Sequence, residues 1–170
     1  MLISPKTNGQ LNIIIQKMFY LNRIMDRIVS VMSVKFCCVE SSNILHKKFS
    51  HKFPILADNI SEIQDSFNVL TDYLDTPTDI SDYTNLSEIF QNVLDNILEA
   101  NDLIIEGIEI ARDESDYNVK LSLENFLSMT FMDYIKQSII LRDKANLYGN
   151  DVIGFDRDIK KFFILENLGD

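Results

Sequence analysis

Apolar residues recur three and four positions apart along four long stretches of this chain, and few breakers interrupt them. That period marks one buried face of an α-helix, because side chains at i, i+3, i+4 and i+7 share a side of a 3.6-residue turn. The first stripe is Leu11, Ile14/Ile15, Met18, Leu21, Met25, Ile28/Val29, Met32 and Phe36. The second is Leu45, Phe49, Phe53, Leu56, Ile60, Ile63, Phe67, Leu70 and Leu74, and it keeps its phase through Pro54, which therefore marks either a kink or a restart. The third runs Ile89/Phe90, Val93, Ile97, Ala100, Ile104, Ile108 and Ala111. The fourth runs Val119, Leu123, Phe126/Leu127, Thr130, Tyr134, Ser138, Leu141 and Ala145, and stops before Gly149. Only 5 Gly and 3 Pro in 170 residues exclude a many-stranded sandwich and an α/β fold with several Gly-rich loops. Helices of roughly 25 to 30 residues, about 40 Å long, predict an all-α four-helix bundle.

The connections give the topology. The first and second helices, and the third and fourth, are joined by short corners, the latter being RDESD (112–116). DTPTDISDYTN (75–85) breaks all periodicity and reads as a long crossover between the second helix and the third. Asn85 is placed to cap the third helix, with Glu88 three residues on. The bundle is expected over 1–148. A tail follows over 149–170, with a break at Gly154 and a short fifth helix around Phe162, Phe163, Ile164 and Leu165. Leu98, Leu103, Ile105, Ile110, Met129, Phe131, Met132, Ile139 and Ile140 lie off the main stripes, more than one core can hide, so a homo-oligomer is expected.

Composition narrows the functional classes. No apolar run reaches the roughly 20 residues that span a bilayer, and MLISPKTNGQ has no signal-peptide core, which predicts a soluble, cytoplasmic protein with no membrane partner. Cys37 and Cys38 are adjacent, cannot staple distant segments, and read as buried small hydrophobes. The Met residues follow helix spacing and read as core, and neither a Gly-x-Ser-x-Gly elbow nor a glycine-rich phosphate loop is present. The formal charge of −10 divides into +6 over residues 1–53, −15 over 54–118 and −1 over 119–170. Such an acidic middle repels phosphate backbones and concentrates cations, so no nucleic-acid partner is expected. Lys47, Lys48 and Lys52, with His46 and His51, form the one basic cluster.

On the second helix, His51, Asp58, Glu62 and Asp65 fall within about 60° of one another at 100° per residue, opposite Leu56. If this stripe meets its two-fold mate, imidazole and carboxylates converge into a nitrogen/oxygen site suited to iron or zinc. Otherwise it is a solvent-facing polar stripe. His46 sits nearer the edge of the apolar face, as a hydrogen-bonded interface histidine or as a further ligand.

Local strings add a resemblance. LHKKF (45–49) followed by LADNISEI (56–63) resembles the second helix of the Dps-type miniferritins. NLSEIFQNVLDNILEANDLIIEGIEIARDESDYNVKLSLENFL (85–127) resembles the third helix, acidic corner and fourth-helix start of ferritins and miniferritins. The resemblance to this ferritin-like superfamily covers about residues 11–148 and implies an oligomeric shell that oxidises ferrous iron and stores it. Ferritins hold iron inside the bundle with a Glu-x-x-His pair, but Asn43 and Lys48 stand three residues before the two histidines here. The matching positions on the third and fourth helices are Ile97, Met129 and Met132, so no ferritin-type internal centre is expected. Miniferritins build their site between subunits. An ungapped match keeps His46 and Asp65, places Ser50 and Ser61 where carboxylates belong, and puts Val34 near the first-helix histidine position. A three-residue shift offers Asp58 and Glu62 as the acid pair instead. DNA-binding miniferritins use a lysine-rich tail, and this N-terminus offers only Lys6. The metal set expected is His46, His51, Asp58, Glu62 and Asp65, with iron bound and zinc as a substitute. Two functions follow: an iron-binding oligomer with a reduced or relocated oxidation site, or a ferritin-like scaffold without ferroxidase chemistry.

Overall fold

Ser4 and Pro5 start the first helix before its apolar stripe does. The computed structural model describes residues 2–165, and in it α1 spans Pro5–Val34. Ser4 Oγ accepts from the Thr7 amide at 3.1 Å, and Pro5 sits in the first turn, where a missing N–H costs nothing. The second long helix comes in three pieces: α2 (Val39–Leu45), a π-turn over His46–Ser50, and α3 (Lys52–Ser66). After the crossover, α4 spans Leu86–Asp113. The fourth is likewise divided into α5 (Tyr117–Phe126), a π-turn over Leu127–Phe131, and α6 (Met132–Tyr148). A short α7 (Val152–Asp158) and a 3-10 turn (Ile159–Phe162) end the described chain. Helix α1 packs on α3 and α4, and α4 packs on α5 and α6, around one apolar core. The architecture is the all-α bundle with a long crossover that the periodicity predicts.

Pro54 is accommodated without breaking the second helix. Its ring crowds the carbonyl four residues back and it has no N–H to offer that carbonyl. The π-turn responds: the His51 amide donates five residues back to the His46 carbonyl at 3.3 Å, while Asn22 Nδ2 of α1 donates to the freed Ser50 carbonyl at 3.0 Å. The helix ends at Ser66, not Leu74. Asn68 adopts a left-handed φ of 55°, which asparagine tolerates, and the Val69 amide folds back on the Gln64 carbonyl at 3.1 Å. Val69 is thereby buried, while Leu70 and Leu74, expected on the stripe, are 86% and 41% exposed.

The crossover is therefore 67–85 rather than 75–85, and polar side chains pin it. Buried Gln64 donates to Asn8 Oδ1 at 2.7 Å and to Asn12 Oδ1 at 2.8 Å, and it accepts from the Thr71 hydroxyl at 2.7 Å. At the far end Asn85 caps α4, accepting from the Glu88 amide at 2.9 Å, while Glu88 accepts from the Thr84 amide at 2.7 Å. The acidic corner between α4 and α5 clamps the start of α1: Asp116 accepts from the Ser4 amide at 3.0 Å and the Thr7 hydroxyl at 2.5 Å.

In the fourth helix the π-turn adds one residue to the stripe, so the inward position moves from Thr130 to Phe131, which is fully buried. Of the tail positions expected in a short helix, Phe162 closes the 3-10 turn, whereas Phe163, Ile164 and Leu165 run beyond it. Buried Gln137 holds that end, donating to the Phe162 carbonyl at 2.9 Å and accepting from the Ile164 amide at 2.8 Å. The remainder of the expected tail, 166–170, lies outside the described residues.

Candidate functional site

His46 and His51 occupy the two ends of the first π-turn. In an α-helix, residues five apart point about 140° away from each other; the extra residue in a π-turn brings them back toward one side. The two imidazole rings lie 4.2 Å apart, centre to centre, inclined at 61°. Asp26 of α1 faces them, its Oδ1 4.0 Å from His46 Nδ1 and accepting from Ser50 Oγ at 2.5 Å. Asn22, one turn earlier, donates to the same hydroxyl at 3.0 Å. Asp26 and Asn22 were missed from sequence. Their signal was present as two polar residues four apart beside the apolar stripe, opposite the polar interruption at Ser50.

Asp58, Glu62 and Asp65 are exposed along α3, on the side away from buried Leu56, as their spacing predicts. The polar stripe from His51 to Asp65 extends about 20 Å, too far for one ion. Among the described residues no three His, Cys, Asp or Glu side chains gather closely enough to hold a metal ion. A single chain thus brings His46 and His51 together, with Asp26 beside them, and leaves the three carboxylates spread along the helix.

An aromatic cluster lies within the largely aliphatic interior of the bundle. Phe49 and Phe53 of the second helix pack on Tyr134 of α6 at 6.0 and 5.8 Å between ring centres, and Phe131 packs on the same ring at 6.3 Å. Burial pushes the Tyr134 phenol up to about 12, with the charge of Asp133 adding to it. Ile97 is buried against this core as expected; Met129 and Met132 are 78% and 37% exposed, as their place off the main stripe implies and against the reading of the methionines as core, while the π-turn brings Phe131 in. The cysteine pair divides: Cys38 is buried and its thiol is pushed up to about 12, chiefly by desolvation, whereas Cys37 is exposed at a left-handed φ of 56°. The acidic middle segment places Asp95, Glu99, Asp102, Glu106 and Glu109 on the exposed side of α4. Lys17 of α1 bonds Glu99 at 2.7 Å.

No protein-family model and no curated protein matches this sequence. Solved structures match it by shape. An open-pore ferritin from the hyperthermophilic archaeon Archaeoglobus fulgidus superposes with a TM-score of 0.86 at 16% identity, over 96% of this chain and 98% of that one. A humanised archaeal ferritin gives the same TM-score and identity over 96% and 99%. So does a closed form of the A. fulgidus ferritin made by site-directed mutagenesis, over 96% and 98%. At this identity the likeness is one of fold: the chain has the ferritin-like four-helix fold, and the likeness goes no finer than that.

Proposed function

We propose that this chain assembles into a homo-oligomer that takes up iron as cargo, holding and oxidising it on a face between subunits rather than inside the bundle. The observation that carries this reading is the placement of polar groups in a ferritin-like fold. Apolar side chains, aliphatic and aromatic, fill the interior, while His46, His51, Asp58, Glu62 and Asp65 remain at the surface of one helix. Carboxylates neutralise the cation's charge and neutral imidazoles complete a nitrogen/oxygen shell, a donor set that suits iron and also admits zinc. One chain gathers too few ligands, so a second copy supplies the remainder, which is also the arrangement implied by the miniferritin-like strings around LHKKF.

Anaerobic loading with ferrous iron followed by air, monitored for ferric absorbance, tests this. Oxidation should exceed the protein-free rate and fall about tenfold when His51→Ala is combined with Glu62→Ala. No oxidation above that rate, with no iron retained after desalting, removes the reading. A second reading, a ferritin-like scaffold without ferroxidase chemistry, is favoured by the packing of Phe49, Phe53, Phe131 and Tyr134, which leaves no polar ligand set at the centre of the bundle. That reading predicts the null result in the same experiment.

A further inference from the structure

The exposed ridge of the second helix runs Lys47, His51, Ile55, Asp58, Glu62 and Asp65, successive members three or four residues apart. Its charges are sorted by sign. Lys47, with Lys48 beside it, lies before Ile55, and the carboxylates all lie after it. Within one chain this order is unfavourable: Asp65 stands in the last turn of α3, where the helix dipole opposes negative charge, and no basic residue in that turn offsets it. Among the described residues none of these lysines and carboxylates makes an ion pair, whereas Lys120 pairs with Glu124 at 2.6 Å and Lys160 with Glu40 at 2.9 Å. Between the two blocks of charge sits Ile55, 50% exposed.

A second copy turned end for end reverses the sign of every contact. About a two-fold axis perpendicular to the helix, a residue some places before the axis meets the residue as many places after it. Lys47 and Glu62, and likewise His51 and Asp58, are symmetric about one point, between Pro54 and Ile55. A single axis there sets Lys47 against Glu62 of the partner subunit and His51 against Asp58 of the partner subunit, with the two Ile55 side chains meeting at the centre. A parallel mate sets like charge on like, and a slip of one turn either way sets Ile55 against His51 or Asp58. The neighbouring surface agrees. The Asn22–Ser50 and Gln64–Asn12 bonds fix α1 antiparallel to the second helix and put Phe19 level with Ile55, and Tyr73 stands over Phe19 at 6.2 Å between ring centres. Apolar side chains thus share the level of the axis, with charge toward either end.

We propose that a second copy of this chain docks antiparallel along this ridge, in the register centred on Ile55. The proposal rests on the homo-oligomer of the reading above and names its register. It makes each metal seat of that reading a two-chain seat, His51 from one copy and Asp58 from the other, while the pairing itself needs no metal.

Disulfide trapping on the metal-free full chain is the test. Cys37→Ser first removes the exposed thiol. In that background Ile55→Cys brings two thiols together at the axis, because packed helices approach to about 8–10 Å, and diamide should convert most of the protein to a linked dimer. Asp65→Cys lies about 16 Å along the helix from the axis, so its two thiols stand about 30 Å apart and should stay unlinked. Lys47→Glu or Glu62→Lys alone should slow Ile55→Cys trapping by about tenfold, and the two together should restore it. That rescue separates a register effect from a loss of fold. Light scattering on the same samples separates the two readings. An oligomer in which Ile55→Cys stays unlinked, Asp65→Cys links as fast, or the double reversal fails to restore trapping overturns the register and leaves the homo-oligomer standing; a mass of one chain overturns both.

Discussion

Single polar side chains decide where irregular chain attaches to the bundle. Gln64 satisfies Asn8, Asn12 and Thr71 at once, and it is fully buried. Truncating it strands buried Asn12 and frees Asn8 and Thr71, so Gln64→Ala should lower the unfolding free energy by about 2–3 kcal/mol, read from urea midpoints at unchanged m-value. Cys37 and Cys38 differ in the same local way. Iodoacetamide at neutral pH should label Cys37 alone, and Cys38 should react only after unfolding, as mass spectrometry will resolve; its burial and raised pKa keep it a thiol. Some of this scale was legible. The cap at Asn85 was readable because it involves residues three apart, whereas Asn8 and Asn12, to which Gln64 donates, lie 56 and 52 residues away and no local pattern encodes them.

Elements were legible by period and misread where the period carries an insertion. An apolar pattern counts three and four, so a π-turn's step of five from Phe126 to Phe131 was read as Thr130, and Phe131 was left off the stripe with Met129 and Met132 although it alone of the three is buried. The true register makes a prediction. Deleting exposed Met129 converts the π-turn to a plain α-turn with Phe131 and Tyr134 still inward, and should cost about 1 kcal/mol or less. Deleting Lys136 from α6 rotates everything after it by about 100°, and should cost more than about 4 kcal/mol or abolish folding, as thermal melts will show. The end of the second helix failed for a different reason: Leu70 and Leu74 keep the stripe's period, but Asn68 has already turned the chain left-handed. The docking of α7 carries a pH dependence. Arg157 foremost, then Lys161 and the Tyr148 hydroxyl at 2.8 Å, bond Asp158 and hold its carboxyl well below the ordinary carboxylate range. Because the folded pKa is the lower one, this contribution is whole above the unfolded carboxylate pKa and is lost as pH falls through the acid range. Between pH 6 and pH 3 the melting temperature of Asp158→Asn should therefore fall less than that of the wild type.

At the scale of the whole molecule, what one chain leaves uncovered points to other copies. The −15 segment was placed correctly along the crossover and α4, yet whether its acids face a cavity or bulk water is a property of an assembly, which periodicity within one chain does not encode. The same holds for the proposed metal-binding stripe, whose histidines meet within a chain while its carboxylates do not. The crossover shows where assembly would act: Leu70, Tyr73 and Ile80 are 86%, 64% and 85% exposed on a segment without helix or strand. Burying each gains about 1.5–3 kcal/mol, so a two-fold contact covering all three on both copies gains on the order of 10 kcal/mol before association costs. Size-exclusion chromatography with light scattering should accordingly give a mass several times the 19.7 kDa of one chain. A twelve-subunit shell would place the chain with miniferritins and a twenty-four-subunit shell with ferritins. Leu70→Asp combined with Ile80→Asp should shift the mass downward while leaving the helical spectrum intact, since both side chains already face solvent within the chain. A wild-type mass of one chain would overturn the assembly and, with it, any site that needs a second copy's ligands.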